Sequence, residues 1–146
     1  MNAGQAVRRI FVVCDNASIR RSVREIIDQQ PDLLVVGEAV DGPGLLSRAP
    51  GLDPDLAVID FTLPGINGLA ATRILKDRMP HVQVILLTTF DVQPLREAAI
   101  SSGASGCMVK TSVVEELLPA VRSLLDDIGQ RGSKDRNAEA DRAGGG

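Results

Sequence analysis

Four short apolar runs in this chain each close on a single polar residue: IFVVCD on Asp15, LAVID on Asp60, VILLT on Thr88 and CMVK on Lys110. Segments with helical spacing lie between them. Short continuous apolar runs flanked by breakers suit strands buried on both faces, and strands alternating with helices define an α/β domain with a parallel sheet and right-handed crossovers. In such a sheet all four polar side chains gather at one edge. Open α/β sheets bind ligands outside the carboxyl ends of their strands. An acid pair, a hydroxyl and an ammonium meeting there describe a site for an anion together with a divalent metal.

The rest of the chain fits five strand–helix units. Residues 9–15 form the first strand, and Ile19, Val23, Ile26 and Ile27 give the next segment an apolar helical stripe. Pro31 and Asp32 end that helix, and LLVVGEAV reads as a second strand. A second helix begins at Pro43, with Gly44 and Pro50 expected to keep it short. The third strand ends at Asp60, and Asn67 is the expected N-cap of a helix carrying Leu69, Ile74, Leu75 and Met79, stopped by Pro80. VQVILLT is the fourth strand. A short fourth helix ends at Ser102 and Gly103, GCMVK is the fifth strand, and Ser112 with Glu115 reads as a capping box for a last helix to about Asp127. Pro119, inside that helix, predicts a bend or a local widening. The expected domain covers residues 8–127, and 128–146 read as a polar, Gly-rich tail or linker.

Composition excludes several functions. The 146 residues carry a net charge of −3 and only three aromatics, Phe11, Phe61 and Phe90. Neither a basic stripe for phosphate backbones nor a stacking platform for single strands is present, so nucleic-acid binding by this chain is not expected. Arg20, Arg21 and Arg24 read as a solvated helix face. No secretory h-region and no apolar stretch of about 18 residues occurs, which predicts a soluble, cytoplasmic chain whose two cysteines, Cys14 and Cys107, are free thiols.

The segments IDFTLPGINGLAATRIL around Asp60, LLTTF around Thr88 and ASGCMVK around Lys110 resemble the response-regulator receiver domains of two-component systems. The resemblance covers about residues 8–127, and LTTF, ASGCMVK and ELLPAVRSLL are similar to receivers of LuxR/NarL-type transcription regulators. It implies a CheY-like, flavodoxin-like doubly wound fold with strand order 2-1-3-4-5. Asp60 is then the phosphoacceptor for a sensor histidine kinase, Lys110 the cation on the phosphoryl oxygens, and Thr88 the hydroxyl that starts the switch. Magnesium is implied at Asp15, Asp60 and the main-chain carbonyl of Thr62. Pro64, Gly65 and Gly68 shape the loop after Asp60. The output is protein contact, through an effector domain or a separate output protein, and any homodimer is expected to be symmetric. The resemblance implies a phosphoacceptor with self-catalysed transfer at most, not an enzyme.

The chain departs from that pattern at three positions. Receivers usually carry two adjacent acids after the first strand, and here the first of them is Cys14, so the metal site has one carboxylate fewer. Cys107 stands where an inward-turning Tyr or Phe is common, and Thr89 stands where a small residue is. Weaker metal binding and slower phosphorylation are expected, with Cys14 read as a small apolar filler. The strand order puts Cys14 and Cys107 roughly 14 Å apart at ~4.8 Å per strand, beyond disulfide reach.

Two further classes compete. A phosphorylation-independent pseudo-receiver follows if Cys14 disables the metal site. An Asp-nucleophile phosphohydrolase would want Asp-x-Asp where this chain has Cys14, Asp15 and Asn16, and a flavodoxin would want a Gly-rich phosphate loop that NASIRRS lacks. About twenty polar residues follow the last helix, with no recognition helix. That is expected of a stand-alone receiver or of one cut at its linker.

Overall fold

The computed structural model describes residues 7–126. Five parallel strands, β1 (Arg8–Val13), β2 (Leu33–Ala39), β3 (Leu56–Asp60), β4 (Gln83–Thr88) and β5 (Gly106–Val109), form one sheet in the order β2-β1-β3-β4-β5. Four helices, α1 (Ala17–Asp28), α2 (Gly42–Leu52), α3 (Gly68–Arg78) and α4 (Arg96–Ser102), alternate with the strands, and a fifth, α5, occupies 113–126. The expected doubly wound α/β fold is the observed one.

Strand alternation divides the core in two. Ile10, Val12, Leu56, Val58, Ile85 and Leu87 face α1 and α5, where they meet Val23, Ile27, Leu117, Val121 and Leu125. Phe11, Val13, Ala57, Ile59, Val84 and Leu86 face the other way, onto Leu45 and Ala49 of α2, Ala71 and Leu75 of α3 and Ala99 of α4. Both faces of β3 and β4 are therefore covered, which is why their sequences are apolar without alternation.

Local signals account for most helix ends. Asn16 and Asn67 cap α1 and α3, their side chains accepting from Ile19 N at 3.0 Å and Ala70 N at 2.9 Å. Gly103 takes the left-handed conformation that ends α4, with φ 101°. Pro80 follows directly on the end of α3 at Met79.

Four local expectations are corrected. The second helix is not short: α2 runs 11 residues through Pro50, with Asp41 capping Gly44 N at 2.8 Å and Asp53 ending it at φ 47°. Burial of Leu45 and Ala49 against the sheet outweighs the hydrogen bond that Pro50 cannot make. Ser112 is not the extended N-cap that a capping box starts from, because β5 passes directly into a 3-10 turn, Lys110–Ser112, that leads into α5. Lys110 belongs to that turn rather than to β5. The last helix keeps its α form across Pro119, so the alternative of a local widening is not taken. The expected tail at 128–146 and the boundary at 127 lie outside the described residues.

Arg122 ties α5 to the turn before β2. Its guanidinium forms a two-pronged pair with Asp32, one contact at 2.8 Å, and also donates to Gln30 Oε1 at 2.8 Å. That hydrogen bonding holds the Asp32 carboxyl below its ordinary range. A depressed carboxylate contributes stability above its unfolded pKa and loses it as pH falls through the folded value. Between pH 5 and 3, wild type should therefore lose more stability than Asp32→Asn, by on the order of 1 kcal/mol because the pair is partly exposed. Equal losses in denaturant titrations at the two pH values would contradict this.

Candidate functional site

Each polar residue singled out in the sequence sits at, or just past, the carboxyl end of its strand. Val13 of β1 pairs with Ile59 of β3, so the next positions, Cys14 and Asp60, lie side by side. Cys14 N bonds Ala39 O at 3.0 Å and Phe61 N bonds Leu87 O at 2.7 Å, fixing both strand ends to their neighbours. Arg20 reaches back from α1 to the carbonyl of Cys14 at 2.7 Å while pairing with Glu38 at 3.4 Å. Arg20 is thus a brace for the β1 end, not simply part of a solvated face.

Asp60 is fully buried. A buried carboxylate without partners would be costly, and this one has three donors. Lys110 Nζ lies 2.8 Å from Oδ2, Cys14 Sγ lies 3.3 Å from the same oxygen, and the main-chain N–H of Thr62 donates to Oδ1 at 3.0 Å. Two carboxylate oxygens offer roughly four acceptor positions. One position therefore remains, on Oδ1.

The expectation that Cys14 is an apolar filler needs correction. Its thiol is a hydrogen-bond donor to Asp60, and its pKa is pushed up to about 11, first by burial, with the Asp60 contact adding to it. At neutral pH the thiol keeps its proton. It can donate to Asp60 where an acid in the same place would repel it. The ligand atoms of Cys14, Asp15 and Asp60 all lie within 4.8 Å of one another, and Asp15 is the exposed member.

Thr88 stands apart from this cluster. It is buried, and its Oγ1 accepts from Phe90 N at 3.1 Å, holding the start of the loop after β4 rather than the Asp60 carboxylate. Thr89 and Phe90 are exposed. Cys107 lines a surface groove of about 600 Å³ with Arg96, Ser112, Glu115 and Pro119, as expected of a small residue between α4 and α5. Both cysteines are free, and their strands are separated by β3 and β4.

Gly68 has a role that turn chemistry alone does not reveal. Its N–H bonds Phe61 O at 2.8 Å, and a Cβ placed on it would lie 2.3 Å from Asp60 O and 2.8 Å from Phe61 Cα. Those neighbours are backbone and cannot swing aside. Gly68→Ala should cost about 3 kcal/mol and displace the strand end that carries Asp60. A denaturation midpoint equivalent to wild type within ~0.5 kcal/mol would refute the clash.

The donor set fits a hard divalent ion. Asp15 and the free position on Asp60 Oδ1 supply oxygen, as magnesium requires, and the protonated thiol supplies nothing to it. A five-stranded, doubly wound domain with a buried Asp–Lys pair and a second acid at its carboxyl edge has the layout of a signalling receiver rather than of a hydrolase or a flavin carrier.

Comparison with known proteins agrees. The sequence profile of the response regulator receiver domain matches residues 10–122, and the chain belongs to that family. It is 38% identical over 125 residues to the DNA-binding transcriptional activator DevR/DosR of Mycobacterium tuberculosis, covering 82% of this chain and 58% of that protein. The nitrate/nitrite response regulator NarL of Escherichia coli is 30% identical over 119 residues, covering 82% of this chain and 55% of NarL. Among solved structures, a LuxR-family two-component response regulator from Aurantimonas superposes with a TM-score of 0.78 at 30% identity, covering 90% of this chain and 99% of that one. The receiver domain of the putative response regulator NarL from Mycobacterium tuberculosis gives a TM-score of 0.76 at 27% identity, covering 82% of this chain and 96% of that one. The chain is a receiver domain of the LuxR/NarL type, a signalling domain of a two-component system. It spans a little over half the length of the curated relatives it matches. Among the described residues no helix is long and apolar enough to cross a membrane.

Proposed function

We propose that Asp60 accepts a phosphoryl group from a sensor histidine kinase and that the resulting acyl phosphate changes the protein contacts of this domain. The observation that carries this reading is the fully buried Asp60 carboxylate, paired with Lys110 at 2.8 Å at the sheet edge beside Asp15. A carboxylate needs no deprotonation to attack. An Asp60 oxygen forms a bond to phosphorus as the bond from phosphorus to the donor imidazole breaks.

Phosphoryl transfer is mostly positioning and charge neutralisation. Lys110 is within reach to pass from Asp60 Oδ2 to an incoming phosphoryl oxygen, and the Thr62 N–H keeps the carboxylate oriented. Asp15, Asp60 and the main-chain carbonyl of Thr62 would hold magnesium, which when bound neutralises phosphoryl charge. Thr88 carries the response. Its hydroxyl accepts from Phe90 N and keeps its own hydrogen to donate, so drawing it toward the phosphoryl group would pull on the loop bearing the exposed Phe90.

The domain is proposed to run over 8–127 and to continue through a 128–146 linker to an output domain or partner in the cytoplasm. The test is acetyl phosphate with magnesium, read by intact mass and by mapping the modified peptide. One phosphoryl group on Asp60 is expected. A folded chain that takes up none at saturating magnesium would overturn the phosphoacceptor role and leave a pseudo-receiver.

A further inference from the structure

The Cys14 thiol is wholly buried and donates to Asp60 Oδ2 at 3.3 Å, with the exposed Asp15 alongside. We propose that Cys14, Asp15 and Asp60 together bind a thiophilic divalent cation of the zinc and cadmium class, and that this ion competes with magnesium and blocks phosphorylation. The binding half stands on the geometry alone. The blocking half rests on the reading of Asp60 as phosphoacceptor.

Geometry is the first support. Zinc bonds of ~2.3 Å to sulfur and ~2.1 Å to carboxylate oxygen, opened to a tetrahedral angle, put the two donor atoms about 3.6 Å apart. Cys14 Sγ and Asp60 Oδ2 are already 3.3 Å apart, and all three donor atoms fall within 4.8 Å of one another. Small side-chain rotations close the set. Asp15 is the solvent-facing donor of the set, and a water would complete four ligands.

Charge is the second. With magnesium and a protonated thiol, the two carboxylates and Lys110 leave one positive charge over, which suits the arrival of a phosphoryl dianion. A thiophilic ion displaces the Cys14 proton to solvent and gains a thiolate bond, so the cation, thiolate, two carboxylates and Lys110 cancel. A buried site favours the balanced arrangement, and a sulfur ligand selects zinc or cadmium over magnesium. The same arrangement offers a phosphoryl dianion no net positive charge and ties up Asp60.

The experiment is a titration of the 146-residue chain with cadmium chloride, followed by the ultraviolet thiolate-to-cadmium charge-transfer band. Wild type and Cys107→Ser should each show the band at one equivalent, and Cys14→Ser should show none. Asp15→Asn, a change at an exposed position, should weaken binding by about ten-fold or more. No band in wild type, a band that follows Cys107, or unchanged affinity in Asp15→Asn would overturn the site. With acetyl phosphate and magnesium, cadmium should suppress labelling in wild type, and removing it with a chelator before adding fresh magnesium should restore the label. Labelling that persists in cadmium-bound wild type would overturn the competition. A cadmium band in a chain that never labels would instead reject Asp60 as phosphoacceptor and leave the cation site standing.

Discussion

Asp60→Asn should take up no phosphoryl group from acetyl phosphate under conditions that label wild type to completion. The amide keeps the size of the side chain and can still accept from Thr62 N, which lies 3.0 Å from Oδ1 in the wild type. It has no anionic oxygen to attack phosphorus. The substitution also removes the partner of Lys110, whose side chain is only 16% exposed and would be left charged beside a neutral group. Breaking a buried pair by removing one member costs about 3 kcal/mol when no water replaces it, and the open side at Asp15 should bring the cost nearer 1–2 kcal/mol. The variant should therefore remain folded at 25 °C, and the loss of label can be read as loss of the nucleophile. Intact mass settles the point. A phosphoryl group found on the folded variant would move the acceptor to another residue, Asp15 being the nearest carboxylate.

The positions of Asp15, Asp60 and Lys110 were legible in the sequence for a simple reason. A polar side chain that directly follows a fully buried run can only lie at a strand end, and parallel strands put all such ends on one edge. Thr88 followed the same rule for position but not for direction. Its hydroxyl accepts from Phe90 N, a contact set by the course of the loop after β4 rather than by the end of the strand. The contact of Cys14 with Asp60 was hidden for a different reason. It spans 46 residues and depends on the register of β1 against β3, which local pattern does not set.

Helix ends show the same division. Asn16, Asn67 and Gly103 act within three or four residues of themselves, so their signals were readable. The persistence of α2 through Pro50 was not, because it follows from burial of Leu45 and Ala49 against strands elsewhere in the chain. Ser112 misled because a capping box needs the preceding residue to leave the helix, whereas here the chain is already turning from Lys110. Gly68 was visible as a turn residue, but its closeness to the Asp60 carbonyl is a property of packing.

Cys14→Asp should bind magnesium about 10–100-fold more tightly than wild type while being less stable without it. In the wild type a neutral thiol donates to Asp60 Oδ2 at 3.3 Å, so the carboxylate is satisfied with no ion present. An aspartate there turns an attractive contact into two anions in one buried place. Two unit charges about 4 Å apart repel by roughly 4 kcal/mol at an effective dielectric of 20. Lys110 offsets part of this, and one of the two carboxyls will hold a proton more strongly than usual. The ion-free variant should thus lose about 2–3 kcal/mol of stability. Magnesium then gains a third carboxylate, and its binding returns the loss through linkage, by about 2.7 kcal/mol at a hundred times the dissociation constant. Denaturation with a chelator and with saturating magnesium should accordingly show a large gap for Cys14→Asp and a small one for wild type. Equal gaps would mean that position 14 does not reach the ion. A wide gap with unchanged labelling would mean that ion affinity is not what limits phosphorylation, which would place the functional weight of the site on Lys110 and on the loop held by Thr88.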